Sequence, residues 1–170
     1  FVKNIAINEK NGDTMWAFAI AITAIVVALL SPILGALADK AGYRKFFLVL
    51  FTWISALFSM LLYFPKEGDV YLALSLFIVA NIAFEMGGVF CNSYLSDLSS
   101  KRYIGRISGF AWGLGFMGGL IALFLSLYLF PEIRNLDPIG VRKTNILIGV
   151  WFLIFSIPSF LYIKDRKREK

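Results

Sequence analysis

Hydrophobic positions fall in five long blocks: 15–38, 46–64, 71–95, 107–130 and 145–163, of 24, 19, 25, 24 and 19 residues. About 20 apolar residues cross the hydrocarbon core of a bilayer as a helix. Barrel strands would be about ten residues long and would alternate in polarity, a pattern the chain does not have. Inside lipid every backbone polar group must be satisfied within the protein, which makes helices the default. Charges and helix breakers collect between the blocks, in Pro65 to Val70, Asp97 to Arg106, Pro131 to Thr144 and the tail Lys164 to Lys170. Asn11-Gly12-Asp13-Thr14 predicts a turn and a helix N-cap ahead of the first block. The expected fold is all-α and integral to the membrane, with five transmembrane helices.

Composition agrees. Of 170 residues, 59% are hydrophobic and 16% charged, against about a quarter charged in a soluble domain. Mean hydropathy is +0.75. With no His and a single Cys, Cys91, an intramolecular disulfide framework and a Cys/His zinc site are excluded. No metal and no cofactor is expected. An intramembrane enzyme is disfavoured, because no nucleophile–base pair is visible. The chain starts at Phe1 without a basic segment leading into an apolar signal core, and reads as an internal piece of a longer protein.

The basic residues choose an orientation. Five crossings put the two ends on opposite sides. One side collects Lys40, Arg44, Lys45, Lys101, Arg102, Arg106, Lys164, Arg166, Lys167, Arg168 and Lys170, eleven in all; the other has Lys3, Lys10, Lys66, Arg134, Arg142 and Lys143, six. Positive charge stays cytoplasmic, so the tail is expected inside and residues 1–14 outside. The tail suits topology and contact with anionic lipid better than nucleic acid.

Within the blocks, Glu85 is the one acid or base well inside the membrane. A charge there costs roughly 2.5–3.5 kcal/mol on insertion scales. At helical spacing, Asn81, Glu85, Gly88 and Asn92 lie within about 60° of one face, opposite bulk of the Phe77, Phe84 and Phe90 type. Such a stripe suits a substrate or proton path. It equally suits a neutral carboxyl hydrogen-bonded to a neighbouring helix. In the fourth block Ser108, Ala111, Gly115, Gly118, Gly119, Ala122 and Ser126 share an arc of about 100°. All are small, and the arc predicts close helix packing. A nucleotide loop is a poor alternative, with no preceding strand and no Lys-Ser/Thr after the glycines. Pro32 and Pro158 fall inside helices and favour local shape changes. Trp16, Tyr63, Tyr71, Tyr128 and Tyr162 lie near block ends, where interfacial aromatics belong. Cys91 is expected to be a small packed residue.

The shortest gap, "GALADKAGYRK" at residues 35–45, is charged and glycine-bearing. Gly35 allows close approach of another backbone. Asp39 stands at a helix C-terminus, where an acid opposes the local dipole. Gly42 permits a positive dihedral. Taken alone, this is a charged cytoplasmic loop. In their order, Gly35, Asp39, Lys40, Gly42, Arg44 and Lys45 resemble the signature G-x-x-x-D-[RK]-x-G-x-[RK]-[RK] of the major facilitator superfamily, with Tyr43 at a site that is often basic. "SPILGALAD", "NIAFEMGGVFCNSYLSDLSS" and "GRISGFAWGLGFMGG" are similar to the vacuolar-effluxer branch, the group around the fungal autophagy-related amino-acid exporter and its bacterial relatives.

The resemblance implies that the signature turn, with Asp39 at its centre, latches two six-helix halves on the cytoplasmic side. It also implies that these five helices are numbers two to six of twelve. The first helix and the C-terminal half would then be partners in the same chain. The implied function is secondary active transport of a small organic solute, amino acids among the candidates, across what is expected to be a bacterial cytoplasmic membrane. A non-transporting multi-pass assembly factor or scaffold stays open as the alternative. Small-molecule substrate and membrane lipids are the other expected partners; nucleic acid is not.

Overall fold

A computed structural model describes residues 9–100, 102–135 and 137–164. Expectations resting on Lys3, Lys101 and residues 165–170 lie outside this part, as does the side chain of Asp39. Among the described residues, five helices are long and apolar enough to cross a membrane. They are α1 (Glu9–Ala41), α2 (Arg44–Leu61), α3 (Val70–Ser93), α5 (Ile104–Leu129) and α6 (Pro138–Tyr162), with a single turn α4 (Leu95–Leu98) between α3 and α5 and a 3₁₀ turn (Pro131–Asn135) before α6. No strand occurs among the described residues. The all-α membrane fold predicted from the hydrophobic blocks is the fold observed.

Most boundaries fall within three residues of expectation, and two differ by more. Residues 11–14 were expected as a turn and cap; instead they lie inside α1. A glycine inside a helix costs about 1 kcal/mol relative to alanine. That is less than leaving backbone groups unpaired beside lipid, and Gly12 is buried. The last helix begins at Pro138, about two turns before the expected Asn145. Asp137 caps it: its Oδ1 accepts from the Ile139 N–H at 2.9 Å, and Pro138 follows at a position where its missing N–H costs nothing. Arg142 and Lys143, which looked like loop residues, are therefore helical.

α3 lies between α1 and α2, and α2 also packs along α6. The core cluster joins Ala38, Leu48, Met86, Phe90 and Tyr94, flanked by Leu34, Phe47, Phe51 and Phe160. α2 and α6 touch closely. A Cβ on Gly149 would stand 2.8 Å from the Ala56 carbonyl oxygen and 2.5 Å from Met60 Cγ. Only glycine fits there without a shift. α5 contacts the rest chiefly through α4, the 3₁₀ turn and α6. Tyr71, Tyr128 and Tyr162, at 77%, 79% and 84% exposure, stand at helix ends as interfacial aromatics do.

Candidate functional site

The signature turn is built by the end of α1. Gly42 has φ +69°, and the Tyr43 N–H donates to the Ala38 carbonyl at 3.1 Å. This is the Schellman closure, in which a left-handed residue lets the chain bond back onto the last turn. The positive dihedral anticipated at Gly42 is present. Asp39 lies in the last turn of α1 and Lys40, exposed, next to it. Arg44 and Lys45 open α2 and are half-buried. Around Gly35 an added Cβ would meet nothing within 4 Å, so among the described residues no backbone approaches it.

The polar stripe of α3 faces away from the core. Ala73, Ala80, Ala83, Met86, Gly87 and Phe90 form the buried side of this helix. Glu85 and Asn92 are exposed and Asn81 is half-buried. None of these three side chains makes a hydrogen bond within the described residues. Phe84, beside Glu85, reaches the α6 ring of Phe152 at 5.7 Å. Phe90 lies opposite Glu85, as the spacing predicts, and is 1% exposed at the α2 contact, whereas Phe84, expected on that opposite face, is 54% exposed on the stripe's side. A carboxyl and two carboxamides thus share an outward face that runs from the middle of a membrane-crossing helix, at Asn81, to its end, at Asn92.

The small face of α5 is open over most of its length. An added Cβ at Gly115, Gly118 or Gly119 would meet nothing within 4 Å, and Ala111 is exposed while Ala122 is half-buried. Only its far end is covered: Ser126 is 2% exposed, its hydroxyl donating to the Leu123 carbonyl at 2.8 Å. The structure therefore brings the signature turn and the α3 stripe into one bundle, and leaves both the stripe and the α5 face unpartnered by the described helices.

Comparison with known proteins gives this arrangement a family. The family model described as "Vacuole effluxer Atg22 like" matches residues 2–170. The chain belongs to the vacuole effluxer Atg22-like family. It is a major facilitator superfamily protein of this branch. Among its relatives is the "Uncharacterized MFS-type transporter YxiO" of Bacillus subtilis, 28% identical over 88% of this chain and 36% of that protein. An uncharacterized protein of Aquifex aeolicus is 30% identical over 89% of this chain and 36% of its own length. "Autophagy-related protein 22" of Pichia angusta is 24% identical over 93% and 32% respectively. The chain thus spans about a third of the length of the curated relatives it matches. No solved structure matches it.

In this Atg22-like chain, the end of the bundle remote from the signature turn carries a polar cluster that the sequence pattern did not flag. Arg142 Nη1 donates to the Pro65 carbonyl at 3.1 Å, and its guanidinium lies 5.9 Å from the Tyr63 ring centre. Asn145 Nδ2 donates to the Leu62 carbonyl at 3.4 Å. Lys143 Nζ meets Glu132 Oε1 at 3.0 Å. Its ammonium and the backbone hydrogen bond at Glu132 hold that carboxyl below the usual carboxylate range, the backbone bond acting most strongly. An added Cβ on Gly140 would lie 2.9 Å from the Ile133 backbone nitrogen, so the 3₁₀ turn seats directly on α6. The available signal was Asp137-Pro138, a cap and first-turn pair that starts the helix before its charges.

Proposed function

We propose that this chain is part of a secondary active transporter that moves a small organic solute across a membrane by alternating access. The observation that carries the reading is the open polar face of α3. Asn81, Glu85 and Asn92 stand on a membrane-crossing helix with no hydrogen-bond partner among the described residues. Ionisable groups in such positions mark substrate and ion paths. Membership in an effluxer family and similarity to a protein named as an MFS-type transporter support it. The name of the family favours export, and amino acids are the solute class we favour.

In this reading Asn81 and Asn92 hydrogen-bond solute or ordered water, and Glu85 exchanges the coupling proton. Gly35, Asp39, Lys40, Gly42, Arg44 and Lys45 form the cytoplasmic gating turn, with Asp39 meeting the other half of the transporter. The open faces of α3 and α5 are covered by, or line a cavity with, helices outside these 170 residues. The eleven-to-six division of basic residues puts Lys164 on the cytoplasmic side.

The test is Glu85→Gln in the reconstituted full-length protein. The amide keeps the shape and mimics the protonated acid. Loss of gradient-driven transport with retained counterflow is expected. Unchanged gradient-driven transport would remove Glu85 from coupling. A scaffold would keep the α3 face sealed, so an Asn81→Cys thiol that no water-soluble reagent reaches in the intact protein would favour that alternative.

A further inference from the structure

The buried cluster of the bundle gathers beneath the signature turn. At its centre Phe90 of α3, 1% exposed, meets two rings of α2. It lies 5.2 Å from Phe47 with the planes 13° apart, and 5.9 Å from Phe51 with the planes 9° apart. Phe47 and Phe51 are one helical turn apart, their centroids 6.2 Å from each other. Aromatic pairs hold preferred offset geometries that an aliphatic side chain of similar volume does not impose. Ala38 completes the contact from α1. It is 0% exposed and belongs to the same cluster, and its carbonyl is the acceptor that closes the turn at Tyr43. The residue that anchors the turn and the ring that locks α2 to α3 therefore belong to one buried cluster.

We propose that Phe90 is a positioning residue for the signature turn. The Phe47–Phe90–Phe51 stack fixes the end of α1 against α2 and α3, and so sets where residues 39–42 stand. The functional weight of this rests on the transporter reading; the effect on the turn does not. Interiors pack without slack, so a ring replaced by a narrower side chain releases motion first where the packing meets a loop. Here that loop is the turn.

The experiment uses the full-length protein, cysteine-free except for one nitroxide-labelled position. One label replaces Tyr43, 60% exposed in the turn; the control label replaces Phe64, 63% exposed at the other end. Phe90→Leu should raise label mobility at 43 severalfold and leave 64 unchanged. Phe90→Tyr, which keeps the ring plane, should return position 43 close to the parent value. Met86→Leu, a substitution one turn away at an equally buried site, should move neither label. If Phe90→Leu does not insert, Ala38→Val perturbs the same contact from the α1 side and is judged by the same two labels. An unchanged label at 43, an equal rise at 64, or the same response to Met86→Leu would overturn the assignment. Transport measured on the same variants keeps the two ideas apart. A parent protein that moves no solute counts against the transporter reading, whereas an immobile turn in Phe90→Leu counts against Phe90 alone.

Discussion

The glycines of α6 and those of α5 do opposite things. On α6, Gly149 is pressed against the α2 backbone, 2.8 Å separating the Ala56 carbonyl oxygen from the place a Cβ would occupy, and Gly140 seats the 3₁₀ turn. On α5, Gly105, Gly109, Gly113, Gly115, Gly118 and Gly119 meet nothing within 4 Å. Small residues in membrane helices let backbones approach. The difference teaches that such a residue records permission, and that only the neighbour decides whether the permission is used. Both glycines of α6 are in use within this chain; the richer arc of α5 is not.

The largest effect should come from breaking the used contact. Gly149→Leu forces a branched side chain into the Ala56 carbonyl and Met60. Overpacking of this kind costs about 1–3 kcal/mol, and more where backbone must move. Thermal unfolding in detergent should show a clear loss, and an unchanged midpoint would mean that α2 and α6 are not in contact in solution. Gly118→Leu sharpens the other half of the comparison. Within the present helices it has room, so any loss of stability in the full-length protein reports a helix from outside this chain on the α5 face. Full-length stability equal to the parent would assign that face to lipid.

The smallest effect belongs to the polar end that secures α6. The Glu132–Lys143 pair is part-exposed, with side chains 40% and 36% accessible, and such pairs contribute little. The folded carboxyl titrates below its ordinary range, so its contribution is present above the unfolded value and is lost as pH falls through the folded one. Glu132→Gln should therefore lower the unfolding midpoint slightly at neutral pH and match the parent at strongly acidic pH. A difference that instead widens on acidification would reverse the assigned sign.

What could be read from the residues follows from which physical signal each feature leaves. The five spans were legible because lipid demands long apolar blocks. The positive dihedral at Gly42 was legible because the turn had one glycine at the right place. The polar stripe of α3 followed from helical spacing around a lone acid, and the structure leaves that stripe facing outward. The start of α6 was hidden by Arg142 and Lys143, whose charges resemble a loop in a hydropathy reading although the side chains reach back to Pro65 and Glu132. Gly68, at φ +95° ahead of α3, sits in a gap where its neighbours gave no particular turn. The Gly149 contact left no periodic trace, since one small residue in an apolar block has no pattern. Helical spacing put Phe90 opposite Glu85, but spacing locates a face and not the partner helix, here α2, that covers it.

The length of α1 has a mechanical consequence. Its 33 residues make a rod of about 50 Å at 1.5 Å per residue, well beyond a hydrocarbon core of about 30 Å. Such a rod is a lever. If it pivots near the membrane midplane, a tilt of about 10° sweeps its tip through about 4 Å over a half-length of about 25 Å. That is close to the width of a side chain, enough to seat or unseat a carboxylate from a hydrogen-bonding partner. In the proposed alternating-access cycle, a modest rocking of α1 would therefore be enough to make or break a contact at the turn that carries Asp39.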